Sequence, residues 1–288
     1  MEIFWNVMAW PMVACVALPG LLVYLGLHIV HRGVIFVDLA LAQVATLGTC
    51  FCLMLGHDIH DVHTLYWSIA FTLGGALLFA FSRSHGRQRL PQEAVIGVVY
   101  VVAAAAAVLL LSRTPEGNEE LRKTLIGDIL TIQRAEVLKL GGLYCVIGAI
   151  HWFLRKRFHL LTFETDRCRA EGVSIRGWDF VFYALFGAVV TTFVQIGGVL
   201  LVFSYLIVPA LCGMLGGRSF AGMFAVGWAM AAMGGAGGLA GSYWFDLPAG
   251  AAIVCTLACL LVMLGGVSWL RNFFGRNPEG RRESGPIK

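Results

Sequence analysis

The sequence predicts an all-α, polytopic membrane protein with about nine transmembrane helices, eight being the alternative. Of its 288 residues, 58% are hydrophobic and only 13% are charged. That is about half the charged share of a soluble domain, too little to cover a water-facing surface. Uncharged runs of roughly 20 residues, enough to cross a hydrocarbon core of about 30 Å, recur along the chain. Met1–Trp5 lacks the basic region that begins a cleavable signal peptide, so the first apolar run is expected to remain as a span.

Each predicted span is an apolar run with few charges. Asp38 interrupts the second run, and the short fifth run becomes long enough if Val137–Lys139 extend it. The sixth run is about twice the length of one crossing, so the chain is expected to turn at the polar, glycine-rich Gln195–Gly198. The number of predicted spans falls from nine to eight if the first run is an interfacial helix. The runs are Ile3–Val30, Val34–Leu55, Thr64–Ser82, Ala94–Ser112, Leu140–Leu154, Phe180–Gly217, Ser219–Phe245 and Leu247–Leu270.

Basic residues predict the orientation of these spans, because lysine and arginine concentrate in cytoplasmic connections. With the N-terminus outside and the C-terminus in the cytoplasm, 16 of the 21 basic residues fall on the cytoplasmic side. The other five lie within Arg113–Lys139, where the amphipathic Leu121–Gln133 is expected to lie along the membrane surface or dip into it. Residues 1–275 are predicted to form one transmembrane domain, and residues 276–288 a disordered cytoplasmic tail. The 16 residues are Arg32, Arg83, Arg87, Arg89, Arg155, Lys156, Arg157, Arg167, Arg169, Arg176, Arg218, Arg271, Arg276, Arg281, Arg282 and Lys288.

The motifs of soluble enzymes are missing from the sequence. There is no GxxxxGK[ST] phosphate loop, so the chain is not expected to bind or hydrolyse ATP. The HExxH and GxSxG motifs and paired catalytic carboxylates are missing as well. The eight cysteines contain no CxxC pair and are interpreted as small packing residues in preference to a thiolate metal site. Polar groups inside the apolar runs become the candidates for function, because they are costly at membrane depth.

Asp38 is the clearest of these candidates, with Gln43 five residues later. Carboxylate and amide oxygens are ligands that hard divalent cations prefer, so both residues are candidates for a metal path. A step of five residues turns about 140° around a regular helix, so the two share a site only if the helix is distorted or other groups contribute. The alternative is that Asp38, near the cytoplasmic end of its span, caps the helix or pairs with Arg32.

A second candidate is a short polar segment that the predicted orientation places outside. It holds three of the eight histidines of the chain. Imidazole and carboxylate are ligand types that zinc and similar metals use. Their density favours metal capture at the outer mouth over a solvated loop with chance histidines. The residues are His57, Asp58, His60, Asp61 and His63.

A third candidate is the cytoplasmic stretch Arg155–Arg176, whose middle predicts a short charged helix stopped by a glycine. An exposed, charged helix between two spans suggests docking of a soluble partner, and a solvated connector is the alternative. The docking residues are predicted to be Phe163, Glu164, Asp166, Arg167 and Gly172.

Five segments, in order and spanning about Leu21 to Leu270, resemble the zinc/manganese/iron permease family of bacterial ABC importers, often called ABC-3. That family carries a basic residue followed by a Gly-Asp-Ala-Leu-Ser-His-Ala stretch on an early span, which Arg32 and residues 37–43 match in part. Two departures stand out. Ala42 or Gln43 takes the place of the early histidine, and Thr165 replaces the proline of the docking helix. The other four segments are Gln92–Gly97, Leu125–Leu130, Phe163–Gly172 and Ile196–Ala210.

The resemblance implies a permease subunit that moves divalent metal ions (zinc, manganese or iron) across the bacterial inner membrane. The implied partners are a cytoplasmic ABC ATPase subunit, an external metal-binding protein, a second copy of the chain in a homodimer, and membrane lipid, with no nucleic acid. The metal ion is cargo, and neither a catalytic residue nor a permanently bound cofactor is expected. Two rivals remain. A permease for metal chelates or vitamin B12 would favour a wide, aromatic-lined path, and a secondary transporter driven by ion gradients would need no docking helix.

Overall fold

The structure is a computed structural model that describes residues 2–57, 61–83, 91–112, 127 and 129–274. The described residues are helical apart from short connections and contain no strand, so the all-α prediction is confirmed. The predicted tail, 276–288, lies outside them. A short 3-10 turn, Ile129–Thr131, precedes the sixth helix. The helices are α1 (Glu2–Ala17), α2 (Pro19–Arg32), α3 (Val37–Met54), α4 (Val62–Ser82), α5 (Gln92–Leu111), α6 (Arg134–Phe163), α7 (Thr165–Ala170), α8 (Ile175–Gly216), α9 (Phe220–Phe245) and α10 (Ala249–Phe274).

Eight segments within the described residues are long and apolar enough to cross a membrane. The chain is therefore a multi-pass membrane protein, as predicted. Helices α1 and α2 together supply one segment, Met8–Arg32, because Leu18 keeps helical dihedral angles (φ −65°, ψ −37°) at their junction. Gly33 ends α2 in the left-handed conformation, with φ 68°. The eight segments include the first apolar run, which the lower predicted count left out, and they count α8, a continuous segment of 42 residues, once.

Helix α8 turns back on itself at Gly198. Its two ends lie beside the same end of α2. Near its start, Asp179 bonds to Arg32 at 3.0 Å, and just beyond its end the ring of Phe220 lies 5.2 Å from that of His28. A straight helix of 42 residues would span about 63 Å. The angles of Gly198 (φ 73°, ψ 166°) are not helical and belong to a region essentially open only to glycine. The turn predicted at this position is confirmed, and the two arms of α8 correspond to two of the nine predicted spans.

The segment that precedes α6 packs against this turn. A Cβ on Gly127 (φ 69°) would overlap the backbone of Gly197, so the two backbones lie in direct contact. Ile129 and Ile132 are buried. The described part of the predicted surface segment therefore belongs to the helical bundle, while residues 121–126 and 128 lie outside the described residues.

Helix α6 is longer than the span predicted for it. It begins at a capping box formed by Gln133 and Glu136 and runs for 30 residues, about 45 Å. Arg155, Lys156 and Arg157, predicted to begin a cytoplasmic connection, are still helical. Lysine and arginine are good helix formers, and hydropathy alone gives no reason for the helix to stop where the apolar run stops.

The arms of α8 form the centre of the bundle. They contact α2, α3, α4, α9 and α10, and Phe182, Phe186, Phe193 and Tyr205 are fully buried. Small residues permit the closest approaches, and a Cβ on Gly26 of α2 would overlap the carbonyl of the α8 residue that it faces. In contrast, only 11% of the most apolar part of α10 is buried, so this helix faces outward.

We expect Gly198→Ala to lower the yield of folded protein, because an L side chain is strained at these angles by about 1–3 kcal/mol. The measurement is the monodisperse fraction after detergent extraction, together with the thermal midpoint of that fraction. Gly97→Ala is the matched control, since a Cβ at this position of α5 meets nothing within 4 Å. Equal yields and midpoints for the two variants would contradict the assigned turn.

Candidate functional site

A buried ion-pair cluster joins the ends of three helices. Asp179, in α8, is fully buried and accepts a hydrogen bond at 3.0 Å from Nη1 of Arg32, the last residue of α2. Nη1 of Arg83, the residue after α4, donates to both oxygens of the same carboxylate at 2.8 and 2.7 Å. These three residues are named the arginine–aspartate cluster. Hydrogen-bonded charge pairs of this kind are the strong ones, so the cluster fixes the spacing of α2, α4 and α8.

The cluster also reaches the junction between α6 and α7. Arg32 donates through Nε to Thr162 Oγ1 at 3.1 Å, and Arg83 donates through Nη2 to Thr165 Oγ1 at 3.1 Å. The guanidinium carbon of Arg32 lies 3.9 Å from the ring centre of Phe182. The two arginines exceed the single carboxylate by one positive charge. The threonine oxygens and the face of the ring offset part of that excess.

This arrangement contradicts one of the two structural explanations of Asp38. Arg32 pairs with Asp179, and Asp38 is not its partner. Asp38 lies instead in the first turn of α3, where the helix dipole favours a negative charge. The alternative in which Asp38 pairs with Arg32 is therefore wrong. Asp179 is 147 residues from Arg32, and only the fold brings them together.

The carboxylate of Asp38 is buried without a partner. The residue is 1% exposed. The backbone N–H groups of Asp38 and Leu39 lie near its carboxylate, but neither oxygen has a well-formed hydrogen bond within the described part of the chain. Glu93, in the first turn of α5, lies close enough for its charge to act on Asp38. One oxygen of Glu93 accepts from the Phe36 N–H at 3.1 Å, and the other is buried without a partner among the described residues. The negative charges of Asp38 and Glu93 therefore repel each other, and each side chain keeps at least one oxygen without a hydrogen bond among the described residues. A cation at this position would stabilise both carboxylates.

Glu93 is a site residue that the sequence reasoning missed. It appears in the sequence only as part of the Gln92–Gly97 resemblance, with no metal role assigned. The sequence feature that could have identified Glu93 is its position. It is an acidic residue directly before an apolar run, and Asp38 lies near the start of another apolar run. Gln43 is buried farther along α3, and within the described residues no hydrogen bond joins it to Asp38. The regular helix keeps them about 140° apart, so the structure does not bring these two predicted path residues together.

Part of the outer histidine segment lies at the start of α4. Asp61 caps this helix by accepting from the His63 N–H at 3.4 Å, and its carboxylate lies 3.3 Å from His57 Nδ1. The rings of His57 and His63 are 4.9 Å apart. A slight loss of hydration raises the pKa of Asp61, but the His63 N–H and the two imidazoles outweigh it and hold that pKa below its ordinary value.

These three side chains cluster without forming a metal site. Within the described residues, no group of three or more His, Cys, Asp or Glu side chains is placed to hold a metal ion. Asp58 and His60, the other predicted capture residues, lie outside the described residues. The capture role remains a prediction.

The predicted charged helix is present as α7. It spans Thr165–Ala170 and ends before Gly172, which has φ 67°. Phe163 belongs instead to the end of α6, and Glu164 separates the two helices with φ −130° and ψ 49°. The outer face of α7 is charged and exposed. Its Arg167 pairs with Glu164 at 3.0 Å and with Glu171 at 2.9 Å.

The opposite face of α7 anchors it to the bundle. Cys168 is buried against Leu161 and Ile175, and burial raises the pKa of its thiol. Thr165 accepts the hydrogen bond from Arg83 described above. The short helix therefore presents charge outward while it is tied, through Arg83, to Asp179.

Comparison with known proteins identifies the family. Residues 4–266 match the ABC 3 transport family. The chain belongs to this family. The five resembling segments predicted the same assignment, and the match extends it to nearly the full length of the chain.

Several proteins with transport names are similar to the chain. The manganese transport system membrane protein MntB of Synechocystis sp. is 28% identical over 73% of this chain and 71% of its own length. A probable iron transport system membrane protein of Haemophilus influenzae is 25% identical over 64% and 67%. The manganese import system permease protein ScaB of Streptococcus gordonii is 24% identical over 83% of each chain.

Two solved structures share the fold of this ABC 3 chain. PsaBC from Streptococcus pneumoniae, in complex with Fab, matches with a TM-score of 0.75 and 20% identity, over 91% of this chain and 93% of the other. An inward-facing conformation of a putative metal-chelate type ABC transporter matches with a TM-score of 0.69 and 19% identity, over 94% and 89%. At these identities the likeness concerns the fold alone.

We expect Asp179→Asn to reduce the folded yield of this ABC 3 protein strongly, because two arginines would lose their buried partner. Breaking a buried pair in this way costs about 3–5 kcal/mol. Asp246→Asn is the matched control, since Asp246 is exposed and adopts a left-handed conformation (φ 53°) that asparagine tolerates. The measurement is the monodisperse fraction after extraction.

Adding Arg32→Leu to Asp179→Asn should recover part of the yield, because it removes one uncompensated charge. An Asp179→Asn variant that folds as well as its Asp246 control would show that the cluster does not hold the three helices together.

Proposed function

We propose that this chain is the membrane-spanning permease subunit of an ABC importer for divalent metal ions, powered by a separate ATPase subunit. The family supports the transport role, and the relatives named for manganese and iron support the substrate class. The observation that carries the proposal is Asp38, a carboxylate 1% exposed and without a partner among the described residues, on a segment apolar enough to cross a membrane.

A cation that passes along the transport path explains why a carboxylate occupies this buried position. A charged side chain at the centre of a membrane helix carries an insertion cost of roughly 2.5–3.5 kcal/mol, less near an end. Arg32 does not offset that cost, because it pairs with Asp179. The free oxygens of Asp38 and Glu93 are hard ligands, which suit manganese and similar divalent ions. The family histidine is absent at Ala42 or Gln43, so the site offers oxygen in place of imidazole, a ligand type that suits manganese.

The outer segment plays a supporting role in this proposal. Its histidines and aspartates concentrate metal at the outer mouth, where an external binding protein delivers it, and Asp38 lies on the path that follows. The chain carries no permanently bound cofactor, performs no covalent chemistry, and acts as a homodimer with two ATPase subunits.

The link from α7 to Asp179 supports coupling to the ATPase. Helix α7 is the docking element, through Glu164, Asp166, Arg167 and neighbouring residues. Movement of α7 reaches α2, α4 and α8 through the arginine–aspartate cluster, because Thr165 bonds to Arg83 and Arg83 to Asp179. ATP binding then shifts the helices between two packed arrangements that open the path to opposite sides.

We expect Asp38→Asn to fold normally and to abolish most metal transport at every metal concentration. The carboxylate has no partner to lose, so the folded yield should equal that of the Asp246→Asn control. The measurement is uptake of radioactive manganese by cells that express the complete transporter. Replacing His57, His60 and His63 together should instead reduce uptake only when metal is scarce. Full transport by Asp38→Asn would remove Asp38 from the path.

We expect reversal of charge at Glu164 and Asp166, by substitution with lysine, to uncouple ATP hydrolysis from transport. The exposed pairs of these residues with Arg167 and Arg169 are each worth about 0–1 kcal/mol, so the spans should remain folded. Arg271→Glu, a charge reversal at the exposed end of α10, is the control. The measurements are ATPase activity and metal uptake in the reconstituted complex. Normal coupled transport by the double variant would exclude α7 as the docking element.

A further inference from the structure

A large cavity opens between helices α2, α6 and α9. Its volume is about 1130 Å³, above the range of about 300–1,000 Å³ typical of small-molecule sites. Most of its lining surface is apolar, with aromatic side chains that include Tyr24 from α2, Tyr144 from α6, and Phe220 and Phe224 from α9. All three helices belong to segments long and apolar enough to cross a membrane.

The composition of this wall restricts what fills the cavity in a bilayer. Apolar cavities stay dry, and an empty one forfeits the dispersion contacts of the side chains around it. Gly141 and Gly148 of α6 line the cavity, and a Cβ at either position meets nothing within 4 Å, so open space lies beside the helix. Hydrocarbon is the material that a cavity between membrane spans takes up.

One face of α6 changes from apolar to charged along the cavity. Tyr144, Gly148, His151 and Arg155 all line it, at spacings of three and four residues that place them on the same side of a helix. They extend over about 16 Å. The guanidinium of Arg155 lies 4.0 Å from the ring centre of Trp152, a side chain typical of the membrane interface.

Cationic side chains surround the mouth of the cavity. Arg155, Lys156 and Arg157 are consecutive, exposed and part of the lining, and no ion pair holds them within the described residues. Arg167, at the same mouth, pairs with two carboxylates that also line the cavity, Glu164 and Glu171. The lining thus holds four basic and two acidic side chains, which leaves the mouth with two net positive charges in the region where the predicted orientation places the cytoplasmic leaflet.

His151 supplies a polar group at intermediate depth. It is 1% exposed, and neither ring nitrogen has a hydrogen-bond partner within the described residues. An imidazole always carries at least one N–H donor, and a buried donor without a partner is costly. His151 lies one turn, about 6 Å, from Arg155, on the apolar side.

From this gradient we propose that the cavity binds an anionic phospholipid of the cytoplasmic leaflet. Its phosphate contacts Arg155, Lys156 and Arg157, and an ester carbonyl accepts the hydrogen bond from His151. Its acyl chains lie along Gly148 and the aromatic wall. Basic pockets between membrane helices on the cytoplasmic side are the kind that hold such headgroups.

The test compares lipids that differ only in the headgroup. Palmitoyl-oleoyl phosphatidylglycerol or phosphatidylcholine is added to the delipidated full chain, and retained lipid is counted by native mass spectrometry. We expect phosphatidylglycerol to bind about tenfold or more tightly. Replacing Arg155, Lys156 and Arg157 by alanine should abolish this preference. Replacing Arg176, Arg218 and Arg271 by alanine, which removes the same charge elsewhere, should leave it intact. Equal binding of the two lipids by the unaltered chain would overturn the proposal.

A second pair of variants tests the acyl-chain cavity. Gly148→Leu should fill it and reduce the binding of both lipids several-fold. Gly142→Leu, at an exposed position of α6 outside the lining, should not. His151→Leu should weaken binding of the ester lipid and leave binding of its ether-linked analogue unchanged, because the analogue has no carbonyl oxygens.

Three further outcomes would overturn the proposal. The first is full displacement of the lipid by inorganic phosphate, which would show that the headgroup binds without the cavity. The second is unaltered lipid binding by Gly148→Leu. The third is rapid disulfide formation between two chains whose sole cysteine is Cys145, a lining residue, since a second copy of the chain would then cover the cavity.

Discussion

The pairing of Asp179 with two arginines constrains the whole cytoplasmic half of this molecule as the sequence orients it. A carboxylate that is fully buried must be balanced by positive charge, and Arg32 and Arg83 reach it from the ends of two other helices. Those helices cannot slide relative to α8 without breaking hydrogen bonds that are strong in a dry interior. The turn at Gly198 then fixes the far side, since it returns the second arm of α8 to the same end of the bundle. The ion-pair cluster and Gly198 thus constrain α2, α4 and the two arms of α8 at opposite ends of the bundle.

Hydropathy and glycine placement were enough to predict most of the membrane-spanning helices of this fold and the turn of α8. Apolar runs located the spans, the polar glycine-rich segment located the turn of α8, and Gly172 located the end of α7. The same reasoning could not predict which charged side chains form pairs, because a sequence does not show which of several charges lie close together in the fold. Asp38 was weighed as a partner of Arg32, only six residues away, whereas the true partner comes from α8. Glu93 was overlooked because its relation to Asp38 exists only once α3 and α5 pack together. Helix α6 extends beyond the span predicted for it, because the thickness of the bilayer limits the length of the apolar run but not the length of the helix.

The departure from the family pattern at Ala42 and Gln43 has a chemical meaning in this structure. Where relatives of the family carry an imidazole, the chain offers carboxylates on α3 and α5 whose oxygens are unoccupied among the described residues. Hard oxygen ligands bind an ion less tightly than nitrogen or sulfur does for the later transition metals, and a transport path needs binding weak enough to allow release.

The order of the three cluster residues along the chain governs how the protein assembles during synthesis. Arg32 and Arg83 precede Asp179 by 147 and 96 residues, so both cations enter the membrane region long before their counter-ion is made. At the ends of their helices they can extend toward water in the meantime. In the folded chain, the carboxylate of α8 bridges the ends of α2 and α4. An early segment of the chain thus depends on a later one, because a chain that ended before α8 would contain Arg32 and Arg83 without the carboxylate of Asp179.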